Sequence, residues 1–211
     1  MRTNYLCLLL MLCLASLGSK AQTNWELKKD AEGIKVYTAS KAGSDIKAIK
    51  VLCTLNATAD QLIAYLTDAK AHEQWVYSTK QSYLVKRVSE GHQIYYSEIT
   101  MPWPLSNRDV VVDLKIVKNS NNVITIKASA IDGYVPKDKK KVRISFSDVN
   151  WIVTPAGTNT LKVEYVAQAD PGGNIPTWVS NMFITKGPFE TFKLLRKALK
   201  DRAGESVSRT P

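Results

Sequence analysis

Along most of this chain the apolar positions recur at every second residue. "GIKVYTAS" and "IKAIKVLCTL" alternate apolar and polar side chains, as strands with one buried face do, and Gly43-Ser44-Asp45 between them reads as the turn of a hairpin. Over "NATADQLIAYLTDAKAHEQW" the period lengthens. Leu62, Ile63, Leu66 and Ala69 share one helical face, Thr58 stands where an N-cap belongs, and a further turn of helix is expected near Trp75. The two-residue period then returns in segments near 81–88, 93–100, 109–118, 122–129, 142–153 and 160–168. Turn residues separate them at Glu90-Gly91, Asn119 to Asn122, Pro136-Lys137-Asp138 and Pro155-Ala156-Gly157.

The chain ends in helical spacing. Trp178, Met182, Thr185, Phe189, Phe192, Leu195 and Leu199 fall three or four residues apart, and Pro176 suits a first turn. Pro188, beside Gly187, cannot donate to the carbonyl of Ile184, so the helix is expected to bend or loosen there. This order predicts an α+β fold in which a curved antiparallel sheet carries a long C-terminal helix across it. The space beneath that helix is either packed with side chains or left as a cavity. No repeat, linker or low-complexity segment divides the chain, so residues 22–203 are expected to form one domain, followed by a flexible polar tail at 204–211.

The first residues stand apart from this pattern. Arg2 precedes an almost unbroken apolar run from Leu6 to Leu17, and Ser19-Lys20-Ala21 has the small-x-small form of a cleavage site. Residues 1–21 therefore read as a signal peptide that sends a bacterial protein to the periplasm or the medium, since the run is too short to span a bilayer. Its removal leaves Cys53 of the three cysteines, so no internal disulfide can form, and lowers the net charge from +10 to +8. A basic, exported protein favours anionic membrane surfaces over nucleic acid as a transient partner.

Catalytic and metal chemistry find little support. With two histidines, His72 and His92, and one remaining cysteine there is no cluster with metal-ligand spacing, and no cofactor is expected. The aromatic residues say more. Trp75, Tyr95, Tyr96, Trp103, Trp151, Tyr165 and Trp178 all lie in or beside elements that should enclose the interior, whether as packed core or as the lining of a hollow. Pro102 and Pro104 fix Trp103 in an extended loop, across a mouth, against a membrane, or as a plug of the core. Arg108 and Asp109 precede the apolar run Val110 to Val112. A lone buried charge costs several kcal/mol, so Arg108 must face water, pair with a neighbour such as Asp109, or hold something charged.

Taken in order and at their spacings, "WELKKDAEGIKVYT", "HEQW", "IYYSEITMPWPLSNRD", "WIVTP" and "VEYVAQADPGGNIPTWVSNM" resemble the START domain family from about Trp25 to Leu199, and "PLSNRD" is most similar to the phosphatidylcholine-transfer type. The resemblance implies the helix-grip fold, a sheet gripping the C-terminal helix over a tunnel that holds one lipid or similar apolar molecule, and binding or transfer without catalysis; a monomer is expected. It gives Arg108 a part in headgroup recognition. Where relatives often carry a second basic group, this chain has Asp113 and Leu114. The ligand site so expected comprises Arg108, Asp109, Glu98, Tyr96, Trp103, Trp75, Tyr165, Trp178, Met182 and Phe189, with no catalytic or metal-binding residue. Two other readings stand beside it: a hydrolase- or cyclase-like enzyme using Glu98, Tyr96 or Asp113 in the same cavity, and a docking module whose basic stretch Lys137 to Lys141 meets an anionic membrane or an acidic partner.

Overall fold

In the computed structural model, residues 23–41 and 44–208 are described. The expected signal peptide lies outside them. The strands are β1 (Glu26–Ala31), β2 (Ile34–Lys41), β3 (Ser44–Leu55), β4 (Thr79–Ser89), β5 (His92–Ile99), β6 (Arg108–Lys118), β7 (Ile124–Ala130), β8 (Val142–Arg143), β9 (Phe146–Gly157) and β10 (Thr160–Asp170). They form one sheet in the order β1-β2-β3-β10-β9-β7-β6-β5-β4, antiparallel throughout except that the short β8 pairs parallel with Arg108 and Asp109 of β6. β7 pairs with β6 only from Val112 onward, so β8 takes up the donors and acceptors that β7 leaves free at the start of β6.

Between β3 and β4 the chain forms α1 (Ala59–Thr67) and α2 (His72–Trp75). Thr58 caps α1 as its sequence predicts. Its hydroxyl accepts from the Gln61 amide, and the Gln61 side chain accepts from the Thr58 amide in return. Leu62, Leu66, Ala69 and Trp75 are buried, and Ile63 packs at the edge of the core.

The C-terminal segment is α3 (Thr177–Asn181), a π-helical turn at Met182–Lys186, and α4 (Gly187–Ser208). Pro188 has no amide hydrogen for a bond to Ile184, and the turn directly before it widens, with the Gly187 amide donating to the Met182 carbonyl. α4 then buries Phe189, Phe192, Leu195 and Leu199 against the sheet and α1. At about 1.5–3 kcal/mol each, these four side chains fasten the helix firmly. Its described end, Ser208, lies inside the stretch expected as a tail.

The elements differ from the sequence reading in four places. β1 was not anticipated, because it is an edge strand that is mostly exposed and carries no clear alternation. Ser44 and Asp45, expected in a turn, belong to β3. The segment expected at 142–153 is broken into β8 and β9. Pro155, expected in a turn, lies within β9: the pairing with β7 ends at Val153, so the missing amide hydrogen of Pro155 deprives that neighbour of nothing.

Candidate functional site

The sheet closes around a cavity of about 890 Å³ roofed by the C-terminal helical segment. Strand alternation decides which side chains reach it. On β6, Arg108, Val110, Val112 and Leu114 line the cavity, while Asp109, Val111 and Asp113 face the other side; on β5, Tyr95, Ser97 and Ile99 point in. Ile49 of β3, Val149 and Trp151 of β9, Tyr165 and Ala167 of β10 and Ile126 of β7 complete the wall. From Arg108 at one end to Leu114 towards the other, six strand residues at about 3.3 Å each give a depth of about 20 Å. The lining is apolar along most of this length, and no group of three or more potential metal ligands occurs among the described residues.

Arg108 is the buried cation of this wall, 3% exposed. Its Nε donates to the Pro171 carbonyl at 3.2 Å, Nη1 to Ser106 at 2.6 Å and Nη2 to Gly172 at 3.0 Å. Burial lowers its pKa, but a guanidinium remains charged. It does not pair with Asp109. Adjacent strand residues face opposite sides, and Asp109 meets Arg143 instead, in a two-pronged contact of 2.9 and 3.0 Å on the outer face.

Glu98 and Tyr96, expected at the ligand, belong to that outer face too. Glu98 lies directly opposite Asp109 across the β5–β6 pair, an arrangement of like charges that would be repulsive alone. The segment between β7 and β9 resolves it by delivering Lys141 to Glu98 at 2.7 Å and Arg143 to Asp109, while Lys80 at 3.0 Å and Asn107 at 2.7 Å also contact Glu98. Burial by itself would raise the Glu98 pKa, but hydrogen bonds from Lys141, Asn107 and Lys80 outweigh it and hold the carboxyl at about 2. Tyr96 packs with Ile94 and Val111 in a small outer cluster and accepts a hydrogen bond from Lys141. Asp113 is bound by His92 at 2.6 Å and Lys115 at 2.7 Å. The acid–base groups that an enzyme reading invoked thus stand outside the cavity. Of the basic run, Lys141 is spent on Glu98, and Lys137 lies 3.5 Å from Asp132.

The expected aromatics divide. Trp75 and Tyr165 do line the cavity. Trp103 does not; it is 90% exposed on the loop between β5 and β6, where its flanking prolines leave no packing partner for the ring. Trp178 is also exposed, at 57%, because Val179 takes the buried position in α3. Neither Met182 nor Phe189 lines the cavity; Phe189 is displaced by the π-helical turn before it, whose extra residue rotates the following face by about 100°. Phe183, Ile184, Thr191 and Phe192 face the cavity instead, and Phe189 turns into the core with the Lys29 ammonium over its ring.

Three further lining groups went unnoticed as ligand residues in the sequence. His72 is buried, and its Nε2 donates to the Leu66 carbonyl at 3.0 Å; burial lowers its pKa, which keeps the ring neutral. Its edge-on contacts with Trp75 and Tyr95 fix both rings in the wall. Tyr95 itself and Ser97 are the others, and the alternation of β5 about Tyr96 was the signal that could have placed them. Burial pushes Tyr165 up to about 12 and raises Tyr95 as well, so both phenols stay protonated and able to donate. The site offers a mostly apolar trough with one buried cation, Lys47 and Asp170 also in its lining, and a few neutral hydroxyls, suited to holding an amphiphile.

The family model of the START domain matches residues 10–204. An uncharacterized protein of Pseudomonas aeruginosa is 32% identical over 186 residues, 88% of this chain and 91% of that protein. A solved STAR-related lipid transfer protein fragment from Xanthomonas axonopodis is similar at a TM-score of 0.76 with 37% identity, covering 83% of this chain and 98% of that one. Phosphatidylcholine transfer protein from Bos taurus is a more distant relative, 26% identical over 84% of each chain.

Proposed function

The chain belongs to the START domain family, a family of helix-grip lipid-transfer domains, and on that premise we propose that it carries one lipid or similar hydrophobic molecule in its cavity, without catalysis. The observation that carries this reading is the trough of about 890 Å³, apolar along most of its length and ended by the buried guanidinium of Arg108. Each methylene moved from water into such a trough contributes about 0.8 kcal/mol, so an acyl chain is held with few directed contacts. Shape sets the selectivity and the polar end sets the orientation.

The likeness to phosphatidylcholine transfer protein favours a phospholipid-like guest. We place the carrier outside the cytoplasm on the strength of its expected signal peptide, acting as a monomer that touches anionic membranes transiently. The exposed indoles of Trp103 and Trp178 suit an interfacial contact, where a ring sits at headgroup level. Organic extraction of the purified protein followed by mass spectrometry tests the reading. A lipid recovered in near-equimolar amount supports it; a protein that yields none and fails to take up fluorescent lipids refutes it.

A further inference from the structure

The inner part of the cavity holds polar atoms that the fold itself does not use. Tyr95 of β5 and Tyr165 of β10 both line it. Each is half-buried although burial raises its pKa, so the open part of each ring faces the enclosed space and not bulk water. Among the described residues neither hydroxyl has a hydrogen-bond partner. Two more such atoms stand in the same lining: Trp75 Nε1 and Thr79 Oγ1 are buried without a partner. Buried polar groups are nearly always paired, so two phenols, an indole N–H and a hydroxyl left over in one lining need a physical reason.

Ring packing does not supply one. Tyr95 meets His72 edge-on at 4.7 Å between ring centres, and Tyr165 meets Trp151 at 5.1 Å and Phe192 at 5.3 Å. Phenylalanine would make the same contacts and bring no hydroxyl to be desolvated. The topology sets the two hydroxyls on opposite walls. β5 and β10 are separated by β7, β6 and β9, four spacings that amount to about 19 Å in a flat sheet. The curl of the sheet closes that distance: the charge that Tyr165 would carry on ionising raises the Tyr95 pKa further, so the phenols are within electrostatic reach of each other across the cavity. Tyr95 lies opposite Val112, four residues from Arg108 and so about 13 Å further in along the strand.

Two donors in one apolar interior match an oxygen with two lone pairs. We infer that Tyr95 and Tyr165 form an inner recognition point, which holds a neutral carbonyl or hydroxyl oxygen set within the apolar body of the guest. This rests on the carrier reading above and narrows it to lipids oxygenated away from their ends. A plain hydrocarbon chain lying there strips water from both phenols and returns no hydrogen bond, whereas a carbonyl accepts from both. The neighbouring lining of Val112, Leu114, Ile126 and Phe192 is apolar, which strengthens each such bond.

The test compares octadecanoate, 4-oxooctadecanoate and 12-oxooctadecanoate on the full chain and on Y95F/Y165F, reading equilibrium binding and the infrared carbonyl stretch of the bound ketone. Wild type should bind the 12-oxo acid at least about fivefold more tightly than octadecanoate, as expected for hydrogen bonds of ordinary strength, and should show no such preference for the 4-oxo acid. The bound 12-oxo group should absorb at a hydrogen-bonded frequency in wild type and at its apolar-solvent value in Y95F/Y165F, which should also lose the preference. Because neither hydroxyl has a partner, this variant should melt no lower than wild type; a marked fall, or failure to fold, would show that the fold needs the phenols and overturns the inference. Equal affinity of wild type for octadecanoate and the 12-oxo acid overturns the inner site and leaves the carrier standing; binding of none of the three overturns both. A preference shared by the 4-oxo acid overturns the placement, and one that survives in Y95F/Y165F overturns the assignment to these phenols.

Discussion

Glu98→Gln separates the two faces of β5 in a single protein. Glu98 is 3% exposed and contacts Lys141, which fastens the β7–β9 segment to the sheet, together with Lys80 of β4 and Asn107 before β6. Its drop from the ordinary 4.5 to about 2 corresponds to about 3 kcal/mol of stability. Because the folded-state pKa is depressed, this contribution is complete above about pH 4.5 and disappears as pH falls towards 2. Glutamine still accepts from Asn107 but loses both lysines, so urea unfolding at pH 7 should place the variant about 2–3 kcal/mol below wild type. The gap should close to under about 1 kcal/mol near pH 2.5, where the unfolded chain holds Glu98 protonated and folding must release that proton. Lipid binding should not change, since Glu98 points away from the cavity. Equal stabilities at pH 7, or a gap that persists undiminished at low pH, would refute the electrostatic account; lost lipid binding by a folded variant would refute the face assignment.

Arg143→Ala removes both contacts to Asp109 and leaves a carboxylate that is 2% exposed without its cation, so denaturant unfolding should show a loss of about 3–5 kcal/mol. Ala128→Phe adds a ring to the cavity wall where there is room for it; a folded protein with stability within about 1.5 kcal/mol of wild type and little lipid uptake is expected by parallel melting and binding assays. Replacing both Trp103 and Trp178 by Ala should leave the melting temperature unchanged, since neither indole is packed, while slowing lipid delivery to anionic vesicles in a transfer assay.

Much of the fold was legible because period and caps are local signals. Thr58 announces the start of α1, and Pro188 announces the loosening of the last helix from its missing amide hydrogen alone. β1 was not legible, because an edge strand exposed along most of its length needs no apolar alternation. The site was legible in part. Arg108 does line the cavity, but Asp109 and Glu98 were drawn to it by proximity in sequence, against the two-residue period that sends neighbours to opposite faces. The run Val110 to Val112 concealed this, since a strand buried on both faces gives no polar marker of which side is in. Trp178, Met182 and Phe189 followed from an uninterrupted helical repeat. One π-helical turn shifts that repeat for Phe189, whereas Trp178 precedes it and is exposed because Val179 takes the buried position; the proline after the turn indicates where the helix loosens without saying which face then turns inward.

Trp75 and Trp151 line the cavity, whereas Trp103 and Trp178 lie outside it, and this contrast permits the most direct test of the central claim. In a variant carrying W25F, W103F and W178F, which leaves only Trp75 and Trp151, a phospholipid brominated along its acyl chain should quench indole fluorescence saturably, at one lipid per protein. Fluorescence that stays unquenched at lipid excess, or quenching that rises without saturation, would contradict an internal lipid site.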